Sequence, residues 1–209
     1  MSRASKQLKR KQSFKNGDRL LVLTEGKKTE PDYFKQLLLM LKISPEQVVV
    51  QAGTSSDPKL LVEEGKRLRD KNARDFRKGI DAKFDKIWLV FDTENDRPRL
   101  MEAINQAEQN GFGVALSAPS IEYWFLLHYQ HTTKLMIIAD NVTRELRKHQ
   151  PDYDKLFRVD PNNLEGLVNN ALKNAKRIRK TQDSHPERIV YPSTTVDTLV
   201  MGIIDLKEF

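Results

Sequence analysis

The chain has 209 residues, of which 38% are hydrophobic and 31% are charged, as expected for one soluble domain, or one domain with a small appendage. No apolar run approaches the roughly 18 residues of a membrane span, and no apolar segment follows the basic N-terminus. We therefore expect a cytoplasmic protein without a membrane segment or a secretory leader. The absence of Cys excludes disulfides and thiol catalysis, and the four His lack metal-ligand spacing. Any metal would have oxygen ligands, which favours Mg²⁺ or Mn²⁺.

Positive charge is concentrated at the start of the chain. Lys plus Arg is 36 and Asp plus Glu is 29, a net charge of +7, and residues 1–19 alone account for +6. Such a flexible basic arm favours a nucleic acid partner, because phosphate contacts release counterions, and Arg10 and Lys11 are its candidate contacts. A solubilising tail without function is the alternative. A second basic cluster is interpreted as a solvated helix face, because its members spread around a predicted helix: Lys173, Lys176, Arg177, Arg179 and Lys180.

The first half of the chain predicts alternating strands and helices. Short apolar runs indicate buried strands, and segments with helical periodicity lie between them. The predicted strands are at 20–24, 47–51, 86–91 and 112–116, and the predicted helices are at 31–41, 58–75 and 97–110. This alternation predicts an α/β fold with a parallel sheet covered by helices on both faces.

The second half predicts mostly helices. They are expected at 120–131, 140–148, 163–180 and 196–207, and a loop at 191–195 offers Thr194 and Thr195 as N-cap residues for the last one. We therefore divide the chain into a flexible basic arm (1–19), an α/β core (20–117) and a mostly helical C-terminal part packed on that core (118–209).

Carboxylates follow two of the predicted strands. Glu25 and Gly26 come after the first strand, and Asp92, Glu94 and Asp96 come after the third. Ligands of open parallel sheets bind beyond the carboxyl ends of the strands, so these acids are expected to face one cleft if the two strands are neighbours. Converging carboxylates repel each other, and a bound divalent cation is the usual remedy. The alternative is that the acids only cap helices or form turns.

A phosphate-binding P-loop is excluded at Gly26-Lys27. That motif requires a Gly five residues before its Gly-Lys pair, and the residue there is Leu21, inside the first strand.

Four stretches of the chain together resemble the RloB family, which is also seen as the second component of AbiL abortive-infection systems. They are Thr-Glu-Gly-Lys-Lys-Thr-Glu-Pro-Asp-Tyr-Phe (24–34), Val-Phe-Asp-Thr-Glu (90–94), Ser-Ala-Pro-Ser-Ile-Glu-Tyr-Trp-Phe-Leu-Leu-His (117–128) and Tyr-Pro-Ser-Thr-Thr (191–195). The resemblance extends from about Leu20 to the C-terminus and leaves out the basic arm.

The resemblance implies a Toprim-like domain, the kind found in topoisomerases, bacterial primases and OLD-type nucleases. Its signature is a Glu after strand one and Asp-x-Asp after strand three, which hold Mg²⁺ for phosphoryl chemistry. Glu25 matches the first element. Asp92 and Glu94 match the second as Asp-x-Glu, a departure that leaves Asp96 as a substitute for Glu94. The resemblance also implies a partner ATPase of the SMC/ABC-like type and a role in phage defence, and it leaves a homo-oligomer open.

The expected chemistry is metal-assisted hydrolysis of a nucleic-acid phosphodiester, with Glu25, Asp92 and Glu94 as ligands of Mg²⁺ or Mn²⁺. Lys27 is a candidate for transition-state stabilisation and Lys28 for nucleic-acid binding, with solvent exposure as the alternative for both.

Two further acids begin predicted helices. Glu30 and Glu122 are candidate second-metal ligands, with stabilisation by the helix dipole as the alternative. After Glu122, the aromatic residues and His128 are interpreted as core. Thr194 and Thr195 are interpreted as N-caps, with phosphate contact as a weaker option.

Three functions are kept in order of preference. The first is a metal-dependent endonuclease acting on DNA or RNA under the control of a partner. The second is a non-catalytic nucleic-acid-binding or regulatory module with the same fold, and the third is a primase-like nucleotidyl transferase.

Overall fold

The computed structural model describes residues 17–93, 97–182 and 191–207. Its strands are β1 (Leu20–Thr24), β2 (Val48–Ala52), β3 (Lys86–Asp92), β4 (Gly113–Ala118) and β5 (Ser193–Thr194). Its helices are α1 (Thr29–Leu41), α2 (Pro58–Arg77), α3 (Arg97–Gln109), α4 (Ile121–Leu127), α5 (Ala139–Leu146), α6 (Pro161–Gln182) and α7 (Val196–Asp205). In this part of the chain no helix is long and apolar enough to cross a membrane.

The strands form one sheet in the order β2-β1-β3-β4-β5. The first four strands are parallel, and β5 pairs antiparallel with the end of β4. The predicted α/β fold, with its alternation of strands and helices and its helical C-terminal part, is therefore confirmed. The Asp57 side chain caps α2, because it accepts hydrogen bonds from the amides of Lys59 and Leu60.

A hydrophobic cluster covers each face of the sheet. In β1, Leu20 and Val22 belong to the cluster shared with α1, α4, α6 and α7, whereas Leu21 and Leu23 belong to the cluster shared with α2 and α3. This division follows from the strand geometry, since successive side chains point to opposite faces. Burial on both faces explains why the strands consist of continuous apolar runs rather than of alternating polar and apolar residues.

The segment predicted as a loop at 191–195 contains β5, so that prediction is corrected. Thr194 pairs with Ser117, and the Thr195 amide donates to the Leu116 carbonyl at 2.8 Å. The Thr195 hydroxyl accepts a hydrogen bond from the Leu116 amide and makes no capping hydrogen bond to α7. The Thr194 hydroxyl instead accepts the Val196 amide at 3.2 Å. Two paired residues show no periodicity, so the sequence could not reveal this strand.

Candidate functional site

Glu25 and Asp92 meet at the carboxyl edge of the sheet. Strands β1 and β3 are neighbours, with Thr24 opposite Val90, so the residues that follow them lie side by side. The Glu25 amide donates to the Val90 carbonyl at 3.0 Å, and the Glu25 carboxylate accepts the Asp92 amide at 3.3 Å. The strand adjacency on which the predicted acidic cleft depends is therefore present.

Glu30 joins this pair from the first turn of α1. Its carboxylate accepts the Gly26 amide at 3.1 Å, and the residue is only 4% exposed. A Cβ atom on Gly26 would lie 1.8 Å from a Glu30 carboxylate oxygen, so a glycine is required for Glu30 to fold back over the β1–α1 loop. Gly26 thus lets the Glu30 carboxylate approach the backbone beside Glu25.

Glu122 is held at the same edge by three donors. It lies in the first turn of α4, directly after β4, and is 2% exposed. Its Oε2 accepts from the Ser120 hydroxyl at 2.6 Å, and its Oε1 accepts from the Tyr153 hydroxyl at 3.0 Å and from Lys155 Nζ at 2.8 Å. Every carboxylate oxygen of Glu122 is therefore engaged.

The loop between α5 and α6 closes over this edge. Lys155 has a left-handed backbone conformation, with φ of 72°, and its carbonyl accepts from the Thr29 hydroxyl at 2.9 Å. The Lys155 side chain remains 62% exposed although its ammonium reaches Glu122. We call the group formed by Glu25, Glu30, Asp92 and Glu122 the acidic pocket. Lys155 thus places a positive charge at the rim of the acidic pocket and connects the loop to the start of α1.

Sequence reasoning missed Ser120, Tyr153 and Lys155. Ser120 has a local signal, since it lies two residues before Glu122 at the start of a helix. Tyr153 and Lys155 have none, because they belong to an irregular loop about 30 residues further along the chain and reach Glu122 only through the tertiary fold.

Burial, mutual repulsion and hydrogen bonds shift the pKa values of the carboxyl groups in the pocket. Burial, and then the charges of Glu30, Glu122 and Glu25, raise the pKa of Asp92 well above its usual range. Burial and the charge of Glu122 also raise the pKa of Glu30. Burial acts the same way on Glu122, but hydrogen bonds from Lys155 and Ser120 outweigh it and lower the pKa of that carboxyl. Asp92 therefore carries most of the electrostatic strain.

Asp92 Oδ1 is the atom in the pocket that most clearly lacks a partner. It is buried and makes no hydrogen bond to any residue that the structure describes. A buried unpartnered carboxylate oxygen surrounded by other carboxylates suits a hard cation such as Mg²⁺. The donor type fits, although within the described ranges no group of three or more His, Asp or Glu side chains already has the arrangement of a metal site.

The remaining predicted site residues do not enter the pocket. Lys27 and Lys28 are exposed on the β1–α1 loop. The metal candidates Glu94 and Asp96 lie outside the described residues, as do the nucleic-acid candidates Arg10 and Lys11 in the basic arm.

His128 lies at the end of α4, in the core. It is fully buried, and its ring nitrogens contact the Tyr33 hydroxyl at 3.2 Å and the Trp124 carbonyl at 2.9 Å. Burial lowers the pKa of His128 to about 4, so the ring is neutral at physiological pH. The interpretation of the aromatic helix and His128 as core is confirmed.

The structure thus defines an α/β protein with a carboxylate cluster at the carboxyl edge of its parallel sheet, in which Glu30 and Glu122 are buried and Glu25 and Asp92 are half-buried. The model of the family described as RloB-like protein matches residues 20–203, so the chain belongs to the RloB-like family. No curated protein and no solved structure matches the chain.

Replacing Asp92 by Asn should stabilise the metal-free protein. Because the pKa of Asp92 is raised on folding, the folded state binds more protons above pH 3.8, and its stability falls as the pH rises. We expect Asp92→Asn to increase the free energy of unfolding at neutral pH by roughly 1 kcal/mol. This gain should shrink toward zero as the pH approaches 3.8.

Urea denaturation in EDTA at several pH values measures this difference. The control is Asp70→Asn, which removes an exposed carboxylate and should change the free energy of unfolding by less than about 0.5 kcal/mol. An Asp92→Asn protein that is less stable than wild type at neutral pH would show that Asp92 is not under electrostatic strain.

Replacing Gly26 by Ala should displace Glu30. The new Cβ and the Glu30 carboxylate cannot share the same space, and we expect a loss of roughly 1–3 kcal/mol in the free energy of unfolding. In a Glu30→Ala background the same substitution should cost much less, because the obstacle is gone. Thermal denaturation of the wild type, Gly26→Ala, Glu30→Ala and the double variant measures this coupling. If Gly26→Ala lowers the free energy of unfolding equally in both backgrounds, the steric explanation is refuted.

Proposed function

We propose that the protein is a Mg²⁺-dependent or Mn²⁺-dependent nuclease that hydrolyses phosphodiester bonds of DNA or RNA. The observation that carries the proposal is Asp92. This residue is half-buried beside Glu25, Glu30 and Glu122, and its Oδ1 atom is buried without a hydrogen-bond partner among the described residues. A nearby cation would relieve the repulsion that raises the pKa of Asp92. The RloB-like family and the position at the carboxyl ends of parallel strands support the same reading.

Asp92 and Glu25 are the residues that would hold the metal. Their backbones are fixed by neighbouring parallel strands, so the two carboxylates keep a constant separation from each other. A bound metal would supply an activated water and neutralise charge on the leaving oxygen. Glu30 is a candidate for a further ligand, and Glu94 or Asp96, which follow the described end of β3, would complete the Asp-x-Glu or alternative acidic set.

Positive side chains of the pocket rim would act on the substrate. Lys155 lies at the rim with its ammonium held by Glu122, and Lys27 and Lys28 are exposed on the loop next to Glu25. Ammonium groups at these positions can bind a phosphate and offset the charge that develops during cleavage. Glu122 is already paired with Lys155, so we assign it first to holding this lysine and second to the metal.

The biological setting is proposed from the resemblance to the RloB family. The nuclease would act in an abortive-infection type of phage defence in the cytoplasm, under the control of an SMC/ABC-like ATPase, and the family membership supports this proposal. The basic arm, with Arg10 and Lys11, would add sequence-independent affinity for nucleic acid.

A non-catalytic nucleic-acid-binding or regulatory module is the second candidate. It is favoured by one observation, namely that no three acidic side chains of the described ranges are already arranged as a metal site. The two candidates differ in whether Glu25 and Asp92 are needed for cleavage.

The experiment is a cleavage assay on plasmid, linear duplex DNA, single-stranded DNA and total tRNA with Mg²⁺ or Mn²⁺. Glu25→Gln and Asp92→Asn should each lower the cleavage rate roughly a hundredfold or more, because each removes a metal ligand. The matched control is Glu46→Gln, which removes an exposed carboxylate at the opposite edge of the sheet and should leave the rate unchanged.

Two outcomes would contradict the nuclease. The first is cleavage that survives in both Glu25→Gln and Asp92→Asn. The second is the absence of cleavage together with the absence of Mn²⁺ binding by calorimetry, after which the binding module would be the leading candidate.

A further inference from the structure

Helix α6 has one buried side and one strongly basic side. Its buried residues recur every three or four positions and pack against the cluster shared with α1, α4 and α7: Leu164, Val168, Ala171, Ala175 and Ile178. Its exposed basic residues occupy the second half of the helix: Lys173, Lys176, Arg177, Arg179 and Lys180. The expectation that this cluster is solvated is therefore met, but its members are less scattered than the sequence suggested.

Four of these residues form a stripe, which we call the α6 stripe: Lys173, Lys176, Arg177 and Lys180. At 100° per residue they fall within about 100° of arc, opposite the buried side. Arg179 lies apart from them and forms an ion pair with Asp197 of α7. The sequence has no Asp or Glu from 166 to 182, and none of the ion pairs in the described ranges includes a member of the stripe.

The stripe lies toward the edge of the sheet that carries the acidic pocket. The first half of α6 is near the far end of α1, since Glu165 and Val168 line a cavity with Leu41. Its second half is near the start of α7, through the pair of Arg179 with Asp197. Helix α7 directly follows β5, which pairs with the last residues of β4 at the carboxyl edge. Helix α6 therefore runs toward the edge where Glu25, Asp92 and Glu122 meet.

The length of the stripe suits a phosphate backbone. Seven residues of helix separate Lys173 from Lys180, a rise of about 10 Å. Successive phosphates of one strand of duplex DNA advance about 3.4 Å along the axis, so the stripe can contact two or three of them. Four positive charges that make no ion pair within the described ranges, and that have no acid between them, favour a polyanion over an ordinary protein surface, which presents both signs.

We propose that the α6 stripe binds the sugar-phosphate backbone of the nucleic acid and directs it toward the acidic pocket. This inference rests on the proposed function, since it locates the path of that site's substrate. It concerns binding alone, and it can therefore be tested without metal and without cleavage.

The test is fluorescence anisotropy with labelled single-stranded and duplex DNA of about 20 nucleotides, in EDTA, over a range of salt concentrations. The variant is Lys173→Gln, Lys176→Gln, Arg177→Gln and Lys180→Gln together, which keeps Arg179 and the helix propensity. Each lost phosphate contact should reduce the slope of log affinity against log salt by about 0.7–0.9. We expect a total reduction of about two and an affinity at least tenfold lower at moderate salt.

The matched control is a second stripe at the end of α2, made of Lys71, Arg74, Arg77 and Lys78. All four residues are exposed, and changing them to Gln removes the same net charge. They precede β3, at the edge of the sheet opposite the acidic pocket. The basic arm is present in every protein compared, so its contribution cancels, and thermal denaturation checks that both variants are folded.

A loss of slope in the α6 variant that the α2 variant does not share supports the proposal. Equal losses in both variants would mean that only net charge matters, and they would overturn it. An α6 variant with the wild-type slope would also overturn it and would leave the stripe to an acidic protein partner. A slope effect in a protein that neither cleaves nucleic acid nor binds Mn²⁺ would reject the nuclease while keeping the stripe as a binding surface.

Discussion

The site depends on one constraint, which is that the half-buried carboxylate of Asp92, with its Oδ1 atom fully buried, lies beside other carboxylates. A carboxylate in such a place is costly unless it is protonated, paired or bound to a cation. The chain resolves the problem differently for each acid. Glu122 is paired with Lys155, and Glu25 and Glu30 accept hydrogen bonds from backbone amides. Asp92 retains a raised pKa and an oxygen that has no hydrogen-bond partner among the residues that the structure describes. Among these four acids, Asp92 is therefore the one whose charged form is least stabilised by the fold.

The fold supplies the energy that holds this arrangement. Strands β1 and β3 are buried on both faces, and their register fixes the backbones of Glu25 and Asp92. The aromatic helix α4 packs its side chains into the core, and this packing holds the helix whose first turn carries Glu122. Since the hydrophobic clusters are large, they can offset local repulsion at the sheet edge.

The sequence was sufficient to predict the parts of the site that follow strands. Glu25 and Asp92 each come directly after a continuous apolar run, and parallel strands bring such residues to one edge. Glu30 and Glu122 were also recognisable, because each begins a helix that follows a strand end, Glu30 after β1 and Glu122 after β4.

The sequence was insufficient wherever a contact depends on tertiary placement. Lys155 and Tyr153 belong to a loop without periodicity, and β5 has only two residues. The basic residues of α6 are a different case, because helical periodicity alone places four of them within about 100° of arc, and the interpretation that they spread around the helix was wrong for these four. Only the ion pair of Arg179 with Asp197 required the tertiary fold.

The most direct test of the central claim is the anomalous scattering of Mn²⁺ in crystals of the wild-type protein and of Asp92→Asn. We predict that the anomalous peak of Mn²⁺ in the wild type lies within bonding distance of Asp92 Oδ1 and of a Glu25 carboxylate oxygen. In Asp92→Asn we expect this peak to be absent. The absence of a peak at these oxygens under saturating Mn²⁺, or an unchanged peak in Asp92→Asn, would contradict the claim that the buried acidic cluster exists to hold a cation.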